Sequence, residues 1–112
     1  MSHDVSGVSQ AFQLFLSAAP RHAKAWMGAV DGLAAATALD PKTSHLAYLA
    51  VLSALQLESG VPFHAGLAKR AGASRDEVIS AILIGLPAAG NAVTQSLPAA
   101  LAAYDASDAD ER

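Results

Sequence analysis

Three side chains in the middle of this 112-residue chain are suited to moving a proton: His45, Glu58 and His64. Imidazole titrates near neutral pH, so His64 is a natural general acid or base. Glu58 precedes it across a Ser59-Gly60-Val61-Pro62 break and could orient the ring, and His45 joins them if the flanking helices fold back as a hairpin. An anionic substrate would also need a cation, and Lys42, Lys69 and Arg70 are the nearest ones. Ser59 lacks the Gly-x-Ser-x-Gly elbow of a hydrolase nucleophile, and a helix cap accounts for it. Histidine nitrogen and carboxylate oxygen suit zinc or iron, but the spacing of His45, Glu58 and His64 matches no recognised ligand motif, so neither metal nor cofactor is expected. The chain contains no cysteine, which excludes disulfides, thiolate metal sites and redox thiols from its chemistry. That usage fits a cytoplasmic protein.

These residues must be held by a single domain, since 112 residues are close to the common domain size. The apolar fraction is 53% and charged residues make up only 15%, against about 25% in an average soluble domain. The chain is rich in alanine and poor in aromatics, which favours closely packed helices. With so few charges to cover its surface, the domain is expected to hide apolar area against copies of itself. A net charge of −3 leaves no electrostatic footprint for nucleic acid. The N-terminal MSHDVSG lacks the basic and apolar regions of a signal peptide. Val78 to Tyr104 is free of charge, but Gly85, Pro87, Gly90, Asn91, Gln95 and Pro98 interrupt it, so a buried pair of helices is expected there and no membrane span.

Every strong local signal is helical, and the pattern predicts an all-α single domain of about six helices. The first covers Val8 to Ala18, with Phe12, Phe15 and Leu16 on one side, and Pro20 ends it or opens the next. The second runs from Arg21 to Ala38 and places Trp26, Met27, Val30 and Leu33 at helical spacing, as a core face. Asp40-Pro41 is an N-cap followed by proline at the first helical position, and it starts a third helix reaching Leu57. That helix is apolar on nearly every side from Leu46 onward, so it is expected to be buried on nearly every side, as a central helix or at a subunit interface. The fourth passes through His64 to Ala71 and stops at Gly72, a natural left-handed residue. Ser74-Arg75-Asp76-Glu77 is a capping box for a fifth helix to Leu86, and a last helix follows Pro87 and Gly90 to Tyr104. On this reading residues 1–7 are a tail, 8–105 the helical domain, and 106–112 a frayed acidic tail.

The ordered set formed by Leu-Asp-Pro-Lys-Thr at 39–43, the apolar helix, the break before His64, and Lys-Arg-Ala-Gly-Ala-Ser-Arg-Asp-Glu-Val at 69–78 resembles the carboxymuconolactone decarboxylase family. That family also contains the alkyl-hydroperoxide-reductase accessory proteins of the AhpD type, and the resemblance runs from about Leu39 to Pro98. It implies an AhpD-like helical fold and assembly into trimers or hexamers. In the redox branch it implies a glutamate, a C-x-x-C pair and a histidine. Anchored on His64, those places fall on His45, Leu57, Gly60 and His64, so only the histidine is present. Thiol–disulfide exchange needs a thiolate, so the peroxiredoxin and disulfide-reductase activity of the redox branch is disfavoured here.

The decarboxylase branch does not depend on cysteine. It implies loss of carbon dioxide from a small lactone acid, with His64 protonating the resulting enolate. The expected function is therefore acid–base chemistry of the decarboxylase or lactone type on a small carboxylated substrate, with His64, Glu58 and His45 as catalytic candidates. The alternative is a non-catalytic oligomeric binding protein on the same fold.

Overall fold

The computed structural model describes residues 9–110, and among them every regular element is helical. The order is α1 (Gln10–Ala18), α2 (Pro20–Ala36), α3 (Pro41–Ala54), a 3-10 turn at Glu58–Gly60, α4 (Val61–Arg70), α5 (Arg75–Leu83), a four-residue helix α6 (Leu86–Ala89), a second 3-10 segment at Asn91–Ser96, and α7 (Leu97–Asp110). Six of these helices have nine or more residues, and the all-α expectation holds.

The starts follow directly from local chemistry. Ser9 accepts from the Phe12 backbone N–H at 3.1 Å and opens α1, and Pro20 occupies the first turn of α2. Asp40 accepts from Thr43 N–H at 2.7 Å with Pro41 behind it, a bond that holds its carboxyl below the usual carboxylate range. Ser74 and Glu77 form a reciprocal capping box at α5. The stops are Schellman motifs. Gly72, at φ +102°, ends α4 with Gly72 N–H to Lys69 O and Ala73 N–H to Ala68 O. The same pair of bonds ends α3, from Gln56 N–H to Ser53 O and from Leu57 N–H to Leu52 O, with Gln56 at φ +59° where glycine is usual.

That second stop corrects the expected run of α3: it ends at Ala54, because the left-handed turn at Gln56 diverts the chain before Leu57. Likewise α5 ends at Leu83, short of Leu86, and α2 begins at Pro20 and ends at Ala36. The last helix runs past its expected end at Tyr104, since α7 continues to Asp110. Arg75 holds Asp105 near its far end at 3.1 Å. The start at Val8 lies outside the described residues.

The core joins Leu49 and Leu52 of α3, Val61, Ala65 and Ala68 of α4, Val78 and Ile82 of α5, and Ala100 of α7. Alanine at three of these places lets the α4 and α7 backbones approach closely. Lys69 ties the same two helices by donating to Tyr104 O at 2.9 Å, while the Tyr104 hydroxyl donates to Ala73 O at 2.8 Å. Ser53 is fully buried and satisfies its hydroxyl on Leu49 O at 2.8 Å.

The core expectation for α2 fails, and α3 is not wrapped on all sides by its own chain. In this chain α3 buries one face only, through Leu49, Leu52 and Ser53, and leaves Tyr48, Val51 and Leu55 exposed. Ala23 is the only buried residue of α2, and Trp26 on that helix is 55% exposed. The α1–α2 pair leans on itself more than on the rest of the domain, so the apolar spacing of α2 has no complete internal partner.

The left-handed Gln56 gives a direct test of the α3 stop. A side chain in this conformation costs about 1–2 kcal/mol, partly balanced by glycine's larger unfolded-state entropy. Gln56→Gly is expected to raise the unfolding free energy by up to about 1 kcal/mol in urea denaturation. A loss of stability would mean that the glutamine is held there without strain.

Candidate active site

The turn from α3 into α4 places His64 one turn inside α4, facing back along α3. The contacts run in opposite senses along the two helices: Gly60 lies beside Leu52, and His64 beside Tyr48. The hairpin expected from sequence is therefore formed. Tyr48 stacks on the imidazole with ring centroids 4.3 Å apart and planes 30° apart, and Phe63 meets it edge-on at 5.4 Å and 88°.

On the open side, His64 lines a pocket of about 430 Å³. Its walls come from α1 and α2 (Phe12, Trp26, Met27, Val30), from α3 (Tyr48), and from the break and α4 (Ser59, Gly60, Phe63), with Ser9 at the edge. This corrects the reading of Trp26 and Met27 as core: they and Phe12 form the wall opposite His64. Sequence reasoning missed Tyr48, Phe63, Trp26 and Phe12 as site residues. Tyr48 carried a usable signal, being three residues after His45 on the helix leading to the break, whereas the α1–α2 wall depends on long-range packing.

The electrostatics of His64 follow from this setting. Its pKa is lowered, first because burial penalises the cation and second because His45 lies near enough for like-charge repulsion. Its Nδ1 is enclosed and has no hydrogen-bond partner. A cationic ring would carry a proton on that nitrogen with no acceptor, so the same enclosure disfavours charge. Exchange with a bound molecule falls to Nε2.

The structure thus brings His45 and His64 into electrostatic contact. It leaves Glu58 exposed in the 3-10 turn, outside the pocket lining. The expected cations are engaged elsewhere: Lys42 pairs with Glu77 at 3.0 Å across α3 and α5, and Lys69 braces Tyr104. Arg70 is exposed at the end of α4 and is not part of the pocket wall. At Gly60 an added Cβ would meet Leu52 and His64 at ordinary contact distances of 3.5–3.9 Å, so a small side chain would fit there. Among the described residues no group of three His, Cys, Asp or Glu side chains could hold a metal ion.

A helical hairpin carrying one histidine at the mouth of a pocket, with no thiol beside it, is the arrangement of a cysteine-free AhpD-like domain. The model of the carboxymuconolactone decarboxylase family matches residues 20–104, and the chain belongs to that family. Comparison with curated proteins and with solved structures returned no match. No helix among the described residues is long and apolar enough to cross a membrane.

The pKa direction fixes a pH dependence. Below the ordinary histidine value of about 6.5 the unfolded chain takes up a proton that the folded His64 resists. His64 therefore makes the fold lose stability as pH falls from that value toward its lowered folded pKa, and has no such effect above it. NMR titration is expected to place His64 below about 6.5. Tyr48→Ala, which uncovers the ring, should raise the midpoint more than His45→Gln, which removes only the smaller cause. An unperturbed His64 midpoint would show that the ring is not enclosed as described.

Proposed function

We propose that this protein performs acid–base chemistry on a small carbonyl compound, of the lactone or carboxylated type, with His64 as the proton-handling group. The observation that carries the reading is the half-buried His64 ring, unpaired at Nδ1 and set in the wall of an aromatic pocket. A ring with a lowered pKa is neutral at neutral pH and can accept a proton at once. Having accepted one, it is a stronger acid than ordinary imidazolium and returns it readily. That property suits an enolisation in which a proton leaves the carbon beside a carbonyl and is delivered to another carbon of the same substrate. His45 adds to the lowering of the His64 pKa. Glu58 has no comparable support, since it is exposed and outside the pocket lining.

The reading is tested with α-angelica lactone, whose conversion to its conjugated β isomer is such a proton transfer and is followed by ultraviolet absorbance. The protein is expected to accelerate it, and His64→Gln to reduce the enzymic rate by about 100-fold or more, with helical circular dichroism preserved. Equal rates for the two proteins would refute the role of His64. The second reading, a binding protein without turnover, is favoured by the mainly aromatic and aliphatic wall, and predicts saturable binding with no acceleration.

We also propose that identical copies assemble, as a trimer or hexamer. Leu33 and Ile84 are each 72% exposed, and Leu55 and Val51 add further uncovered apolar area to a surface with few charges. Light scattering on the eluting peak of a sizing column is expected to give a multiple of the chain mass, and a monomer would sink the proposal.

A further inference from the structure

We infer that the His64 pocket selects uncharged, flat carbonyl compounds of one or two rings and rejects their carboxylated counterparts. This rests on reading that pocket as the functional site, and it departs from the carboxylated substrate that the family's name suggests.

Three observations carry it. First, the wall offers no cation. Phe12, Trp26, Met27, Val30, Tyr48 and Phe63 surround His64, and no lysine or arginine of the described residues lines the space. Of the cations nearest His64 in sequence, Lys42 pairs with Glu77 and Lys69 with Tyr104, while exposed Arg70 and exposed Lys24, two residues before Trp26, lie outside the lining. A carboxylate entering would give up its hydration for aromatic carbon with nothing to pair with, which is among the most costly burials a ligand can make. Second, the wall offers flat faces: Tyr48 stacks on the imidazole, Phe63 stands nearly at right angles to it, and Trp26 and Phe12 also line the space. Rings prefer such stacked and edge-on neighbours. A pocket of about 430 Å³ lies in the range that encloses small organic ligands. Third, Ser9 and Phe12 belong to the stretch before residue 20, outside the segment matched by the family model. Part of the wall is therefore built outside the matched segment, so the match by itself does not fix the ligand class.

The polar atoms that remain suit a neutral ligand. The His64 imidazole can engage one carbonyl oxygen or one acidic C–H, and Ser59 offers a hydroxyl. A single lactone or enone carbonyl fits that supply, whereas a carboxylate would leave charge unmatched.

Coumarin, a flat neutral lactone, and the coumarin that bears a carboxylate on the lactone ring share one ring system and differ by that charged group. Trp26 is the chain's only tryptophan, so its indole N–H gives a single NMR signal that reports from inside the pocket. At neutral pH coumarin is expected to shift that signal saturably, with a dissociation constant at least about ten-fold below that of the carboxylate. Equal or tighter binding of the carboxylate overturns the inference, as does failure of coumarin to move the signal at millimolar concentration. Neither result depends on turnover. If neutral preference holds while His64→Gln leaves lactone isomerisation unchanged, the catalytic reading alone has failed. If the carboxylate wins while that variant is inactive, only the ligand class has.

Discussion

Everything at the site depends on how the chain reverses between Leu52 and Val61. The Schellman closure at Gln56 and Leu57 satisfies the last carbonyls of α3 while turning the backbone, and Pro62 within the first turn of α4 restarts a helix at once. With no slack between the two helices, the register of one on the other is fixed, and Tyr48 must lie over His64. A longer connection would have allowed the ring to face solvent and titrate as a surface histidine.

The reversal is stable because its faces are small and fully apolar where they meet the rest of the domain. Leu49 and Leu52 enter a core completed by alanines of α4 and α7. The Ser53 hydroxyl buried beside them is satisfied on its own helix, whereas the buried Ser96 hydroxyl has no partner. His64 Nδ1 is likewise enclosed without a partner, but on a ring that lines a pocket. An unpaired polar atom of this kind is costly, and such costs concentrate where a protein does chemistry.

Membership of the carboxymuconolactone decarboxylase family establishes the scaffold, and the residues present decide what chemistry that scaffold can carry. Leucine at 57 and glycine at 60 remove the thiol route, while the contacts around Gly60 remain ordinary. What is left is a histidine kept neutral by burial and by a second histidine, opposite an aromatic wall. Few polar groups surround it, so the pocket's discrimination must come from shape and from the absence of compensating charge.

The caps were legible in the chain itself: Asp40-Pro41, the Ser74–Glu77 box and the stop at Gly72 each depend on residues within one helical turn, and all were readable from sequence. So was the hairpin that carries His64, because its signals are equally local. The end of α3 was not, since Gln56 gives no sign of adopting a conformation usually reserved for glycine. Nor was the pocket. Trp26, Met27 and Phe12 have the spacing of core residues, and periodicity records only that a face is apolar, without saying what covers it. Whether that face meets the domain, another copy or a ligand is decided by how the α1–α2 pair docks beside the break. The same holds for Lys42 and Lys69, whose partners Glu77 and Tyr104 come from distant elements. Local hydrogen bonding wrote the helices into the sequence, while long-range packing chose which side chains would meet around His64.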